Sequence, residues 1–166
     1  MIRLTVLWIG GMILDMKFKR EVATSELLAE MMPLFRLHYS EIAHFKDIEL
    51  DPDIDRYLEM EKADCIRLFT ARELGGKLLG YSVYVLFHAP HYRQSKQASQ
   101  DVLFIYPESR GFGRSFIKWC DEQLTLDGVQ VVSHHVKVAH NFGPMLEKMG
   151  YEMVEYIYVK RLDLGA

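Results

Sequence analysis

Apolar positions along this chain switch between a period near two and a period near 3.6, and the switches mark out its elements. Residues 17–22, Lys-Phe-Lys-Arg-Glu-Val, read as a short charged strand. Thr24 or Ser25 then caps a helix in which Leu27, Leu28, Met31, Leu34 and Phe35 recur at helical spacing, with Pro33 predicting a kink or a fresh start. A loop over 44–53 ends at Asp53, which is placed to cap a second helix over 54–63. Strands are expected over 66–73 and 78–87, split by the hairpin signal Leu74-Gly75-Gly76-Lys77, with Gly80 marking a bulge. A polar loop over 88–96 leads to a strand over 101–106 that stops at Pro107. Phe116, Ile117, Cys120 and Leu124 then form the buried stripe of a helix that turns Arg114, Lys118, Asp121 and Glu122 to water and ends at Asp127-Gly128. A strand over 129–138, a helix opened by Asn141-Phe142-Gly143-Pro144 and closed by Gly150, and one or two strands over 151–162 complete the chain.

The order β-α-α-β-β-β-α-β-α-β(β) is α/β in class and predicts a mixed sheet covered on both faces. At 166 residues with 49% apolar content, one domain with a real core is the simplest organisation. A net charge of −3 supplies no basic field, so nucleic acid is not an expected partner. Cys65 and Cys120 form neither a CxxC pair nor a disulfide framework, which suits a reducing cytoplasm. Residues 1–15 are apolar but shorter than the about 20 residues that cross a bilayer, and no small-residue cleavage pattern follows them. They read as an N-terminal extension ahead of a domain over 16–166, or else as an extra strand. No membrane partner is expected.

Residues 107–116 concentrate the chemistry: Pro107-Glu108-Ser109-Arg110-Gly111-Phe112-Gly113-Arg114-Ser115-Phe116 follows a strand and opens a helix. Glycines let the backbone approach a ligand closely, and the first-turn amides and dipole of a helix attract anions. Arg110 and Arg114 add charge beside them, so a phosphate or pyrophosphate is the natural guest. A Walker A loop would end in Gly-Lys-Ser/Thr and a dinucleotide fingerprint would carry a third glycine at residue 116; neither is present. Arg-Gly-x-Gly after a strand ending in Pro instead resembles the acetyl-coenzyme-A loop of the GNAT superfamily of N-acetyltransferases. The stretch from Leu146-Glu147-Lys148-Met149 to Gly150-Tyr151 is similar to that superfamily's closing helix-to-strand element.

The resemblance covers about residues 17–162 and implies a splay between the strands at 101–106 and 129–138, with acetyl-CoA, a cosubstrate, lying in the gap. It implies that the backbone at Leu103, Phe104 and Ile105 holds the pantetheine arm and that Arg110, Gly111, Phe112, Gly113, Arg114 and Ser115 hold the pyrophosphate, with Asn141 beside them. Its chemistry is direct acetyl transfer to an amine, in a ternary complex, with a small-molecule or peptide acceptor. Two positions depart from the superfamily's pattern. Glu108 stands where Gln or Arg is usual, and Leu146 stands where many members carry a tyrosine acid. They favour an alternative, a non-catalytic acyl-CoA-binding or protein-interaction module of the same fold.

An amine must lose a proton before it attacks. Asp101 is the first candidate base, expected on the same side of its strand as Leu103 and Ile105. His88 and His91 lie in the loop before that strand and are candidate bases or relays, with Tyr92 as an acceptor contact. His134 and His135 are adjacent and point to opposite faces, so one of them looks into the splay; His135 is carried as a substrate contact. His88-x-x-His91 with His134, His135 and His140 invites a metal reading, but neither HExxH nor a finger spacing is present, and no metal is expected. Tyr156, Tyr158, Met31 and Met32 read as core or pocket wall. The acceptor's identity and the oligomeric state stay open.

Overall fold

The computed structural model describes Arg3–Ile9 and residues 12–163, with side chains described from residue 16 onward. Six strands lie side by side in chain order: β1 Arg3–Ile9, β2 Met12–Glu21, β3 Ile66–Glu73, β4 Leu78–His88, β5 Lys96–Ile105 and β6 Val131–Ser133. Every neighbouring pair is antiparallel except β5 and β6, which are parallel. The helices are α1 Ser25–Ile42, α2 Ile54–Lys62, α3 Gly113–Leu126 and α4 Gly143–Glu147, with short 3-10 helices at Pro107–Phe112 and Val138–His140. This is the mixed α/β sheet that the pattern predicts.

Local signals act where they were expected. Thr24 Oγ1 accepts from Leu27 N–H at 3.2 Å to cap α1, and Asp53 Oδ1 accepts from Arg56 N–H at 2.9 Å to cap α2. Gly76, at φ 92°, closes the β3–β4 hairpin, and the ladder slips beside Gly80, where a Cβ would lie 2.8 Å from the Phe104 carbonyl. Of the two readings of Pro33, α1 excludes a fresh start, since it is one helix through that residue, which cannot donate to Ala29. Residues 12–15 belong to β2, in which residues 12–18 pair with β1. One expectation is corrected. No strand forms over 151–162: Tyr156 and Tyr158 are exposed rather than pocket wall, and residues 152–160 join no ladder.

Among the described residues, the hydrogen bonds and ion pairs of that last segment lie at its ends. Tyr151 N–H donates to Leu146 O at 3.1 Å. Arg161 donates to both oxygens of Asp47, at 3.0 and 3.2 Å, and lies over the Phe45 ring.

Apolar side chains pack on both faces of the sheet. On one, Phe18, Phe69, Tyr84, Ile105 and Phe112 meet Phe116, Trp119, Cys120 and Leu124 of α3. On the other, Ile66, Leu68, Tyr81, Val83 and Phe104 meet Leu27, Leu28, Met31, Leu34 and Phe35 of α1. The α3 end is tied to the sheet by one carboxylate. Asp127 accepts from Arg67 Nε at 2.5 Å and from Arg20 at 2.9 Å, and the Arg67 side chain is only 5% exposed. Removing Asp127 would leave a buried guanidinium with the exposed Asp64 as its one charged partner among the described residues, beside the Ile66 and Asp64 carbonyls. Asp127→Ala is therefore expected to cost about 3 kcal/mol in denaturant unfolding, the low end for breaking a buried pair.

Candidate active site

The sheet opens between its two parallel strands. β5 and β6 pair only at Gln97–Val131, Ala98–Val132 and Ser99–Ser133; β6 then ends while β5 continues to Ile105. Tyr106 N–H donates to Leu79 O at 2.7 Å, so strand alternation turns the backbone groups of Ile105 and Leu103 away from β4, toward the opening. The Ile105 carbonyl accepts from Arg110 Nε at 3.3 Å. Apart from that contact, a strand side of this kind takes an extended amide-bearing chain in the manner of an added strand.

The turn that follows is helical rather than a tight glycine loop. Pro107 opens a 3-10 helix that feeds α3, and neither Gly111 nor Gly113 takes a positive φ; Gly113 sits at φ −51°, ψ −48°. Phe112 draws this turn onto the core and is fully buried, as are nearly all of Phe104 and Ile105. The side chains of these three residues therefore serve packing, and only their backbone is left for a ligand. Arg110, expected at a phosphate, forms an ion pair with Glu41 of α1. Arg114 is exposed in the first turn of α3, and Ser115 lies beside it, half-buried. Asn141 Oδ1 accepts from Gly143 N–H at 2.9 Å and so organises the start of α4.

Asp101 sits at an irregularity in β5. Val83 pairs with Val102 and Tyr84 with Gln100, leaving Asp101 without a partner across the ladder. This bulge corrects its expected facing. Leu103 and Ile105 belong to the α3 face, whereas Asp101 joins Ile66, Val83 and Val85 around a cavity under α2. The strand also starts earlier than expected, at Lys96. Asp101 is exposed, yet partial loss of water raises its carboxyl from the ordinary value, opposed by the nearby His135.

The other catalytic candidates are not gathered there. His88 ends β4 opposite Lys96, about 16 Å along the strand from Asp101 at 3.3 Å per residue. His91 and Tyr92 line an open surface hollow at that hairpin's tip, with Gln130. The β4–β5 loop projects from the end of the hairpin, away from the bulge, which explains the separation.

The two adjacent histidines divide as alternation requires. His135 is exposed, with Nε2 at 3.4 Å from Ser99 Oγ, on the Asp101 side. His134 packs against Tyr84, Phe142 and Tyr151, and its Nε2 lies 3.2 Å from Tyr151 Oη, which donates to Asp121 at 2.6 Å. Asp121 was expected to face water; it is instead crowded enough that its carboxyl is raised.

Sequence reasoning missed a second pair. His38 Nδ1 lies 3.0 Å from Tyr81 Oη, its ring is tilted over Phe104, and burial lowers it to about 4. Glu41 opposes that shift, while Arg110, His140 and Lys137 add to it. The signal was present, since His38 continues the α1 stripe after Leu34 and Phe35. Tyr57 of α2, pushed up to about 12 by burial and by Asp101, completes the polar groups on this face.

A mixed sheet that opens between its parallel strands, with a helix start at the mouth, is the arrangement of this fold. Solved structures share it. A ribosomal-protein-alanine N-acetyltransferase from Brucella melitensis biovar Abortus 2308 aligns with TM-score 0.65 at 15% identity, over 89% of this chain and 99% of that one. An aminoglycoside acetyltransferase from an uncultured soil metagenomic sample aligns with TM-score 0.64 at 15% identity, over 88% and 97%. A predicted acetyltransferase with acetyl-CoA from Clostridium acetobutylicum aligns with TM-score 0.63 at 13% identity, over 87% and 96%. No protein-family model and no curated protein sequence matches the chain, so the likeness is one of fold. Among the described residues no helix is long and apolar enough to cross a membrane, and no three metal-ligating side chains come together.

His38 and His134 are both held near 4 against an ordinary 6.5. Their neutral forms support the fold fully above 6.5, and that support is lost as pH falls toward 4. Unfolding free energy should drop across this window, and His38→Gln with His134→Gln should flatten the drop. An unchanged slope would exclude both histidines as its source.

Proposed function

We propose that the protein is an N-acetyltransferase that moves acetyl from acetyl-CoA directly to an amine held beside Asp101. The observation that carries this reading is the opening between β5 and β6, which leaves the backbone of Leu103 and Ile105 facing a slot that ends at the start of α3. The slot's chemistry fits acetyl-CoA. Backbone amides and carbonyls suit the pantetheine arm, and the exposed Arg114 with the α3 dipole suits the phosphates. The bound thioester supplies the acetyl group.

Within the protein, Asp101 has the role of base. Its raised carboxyl is closer to an amine's range than an ordinary aspartate is, and it lies on the opposite face from the α3 core. Direct transfer is supported by Cys120, which is fully buried with its thiol pushed up and is not an available nucleophile. A second reading, an acyl-CoA-binding module without turnover, draws on the Arg110–Glu41 pair, which takes one arginine away from the phosphates. The solved neighbours include acetyltransferases named for a ribosomal-protein alanine and for aminoglycosides, so the fold by itself leaves the acceptor open.

Acetyl-CoA at 100 times its Kd should stabilise the protein by about 2.7 kcal/mol, or roughly 5–11 °C in Tm at this size. Gly113→Asp should abolish the shift without unfolding the chain. A Cβ at Gly113 meets only Ile105 Cδ1, at 3.7 Å, and an acid suits a helix start while repelling phosphate. An undiminished shift in that variant would move the phosphate site elsewhere.

Asp101→Asn should lower kcat by about 100-fold or more and leave the acetyl-CoA shift intact. The same variant should be more stable than the parent at neutral pH. A carboxyl raised in the folded state costs stability once ionised, and the gain should vanish below pH 3.8, where both states are protonated. Equal turnover in variant and parent would remove Asp101 from the chemistry. Acetyl-CoA binding with no turnover on any amine would favour the module.

A further inference from the structure

The cavity under α2 has a volume of about 240 Å³, and its chemistry is uneven. Ile66 and Val83, both buried, with Met60, Val85 and the Tyr57 ring, make the lining largely apolar. Two polar groups in that lining, the Asp101 carboxyl and the Tyr57 hydroxyl, make no hydrogen bond or ion pair among the described residues. They lie within electrostatic reach of each other, and both are shifted toward their neutral forms by loss of water. The remaining charged groups are already occupied. Asp53 holds the amide of Arg56, and the Arg56 guanidinium lies 3.5 Å from Glu59.

One free carboxylate and one phenol above an apolar chamber define a complementary ligand. The carboxylate matches one ammonium, and a phenol oxygen can accept a second N–H. The walls match hydrocarbon, because hydroxyls or further ammonium groups placed against Ile66 and Val83 would lose water with nothing in return. The volume lies below the roughly 300–1,000 Å³ of drug-sized sites and corresponds to about eight water-sized units. That is the size of a small aromatic or branched aliphatic amine, and too small for an aminosugar oligomer.

We propose that this cavity is the acceptor subsite and selects primary monoamines with a compact apolar body, seating the ammonium between Asp101 and Tyr57. The proposal rests on the acetyl-transfer reading for its chemistry, though not for binding. In the reaction one ammonium proton passes to Asp101. The nitrogen–acetyl bond forms as the carbon–sulfur bond breaks, and the second proton leaves with the sulfur, giving an N-alkylacetamide and free thiol.

Calorimetric titration with 2-phenylethylamine, spermidine and kanamycin, in the absence of acetyl-CoA, tests the subsite directly. The aromatic monoamine should bind at least tenfold more tightly than either comparator. Asp101→Asn should weaken it at least tenfold, and Met60→Trp or Val85→Phe, either of which fills the chamber, should do the same. A preference for spermidine or kanamycin, affinity indifferent to all three substitutions, or no binding of the monoamine would each overturn the proposal.

The acetyl-CoA Tm shift, run on the same preparations, separates the two claims. Monoamine binding without an acetyl-CoA shift leaves the subsite standing and sinks acetyl transfer. An acetyl-CoA shift with no monoamine binding sinks the subsite alone. With both ligands bound, kcat/KM for thiol release should follow the calorimetric ranking, and a reversed ranking would count against the cavity as the acceptor's seat.

Discussion

The structure turns on a strand that must serve two faces at once. Up to Gln100, β5 alternates in one phase, and beyond Val102 in the other, because Asp101 occupies a position with no partner on β4. A regular ladder would keep one parity along the whole strand. The bulge lets Ala98, Leu103 and Ile105 lie on the α3 side and Val102 and Phe104 on the α1 side, while the unpaired residue is a carboxylate over an apolar chamber. The same irregularity falls just past the last residues that pair with β6, where the sheet begins to open. Packing, cleft and chemistry thus share one backbone feature.

Around that feature the molecule handles buried polarity in two ways. Where a charge is kept, it is tightly paired: Arg67 is enclosed by Asp127, Asp64 and the Ile66 carbonyl. Where a titratable group lines the opening, it is kept neutral: His38 with Tyr81, and His134 with Tyr151. A region with few fixed charges leaves the electrostatic work to whatever enters. The exposed Asp101 and the half-buried Tyr57 differ, being polar and without a hydrogen bond or ion pair among the described residues.

Much of this was legible in the sequence because it is local. Thr24 and Asp53 cap the helices they precede, Gly76 turns the hairpin, Gly150 takes φ 95° after α4, and the stripe from Phe116 to Leu124 is buried as spaced. What failed depended on partners far along the chain. Residues 151–162 have the composition of strands, yet composition carries no information on whether an edge is within reach. Asp101 was assigned to the wrong face because counting by twos assumes an unbroken ladder. His88 and His91 looked close to the site because they are close in sequence, whereas a hairpin carries its tip away from its middle. His38 escaped notice by fitting its helix too well.

The segment 152–160 adds a property of another kind. It is exposed and outside every ladder, while Tyr151 and Arg161 fasten its two ends to α3 and to Asp47. Exposed segments without regular structure are where proteases nick a folded chain, so this stretch is a cleavage site in waiting. A cut there would release the far piece, because a surface ion pair such as Arg161–Asp47 is worth at most about 1 kcal/mol. The sheet and its helices would stay assembled, since residues 152–160 join no ladder.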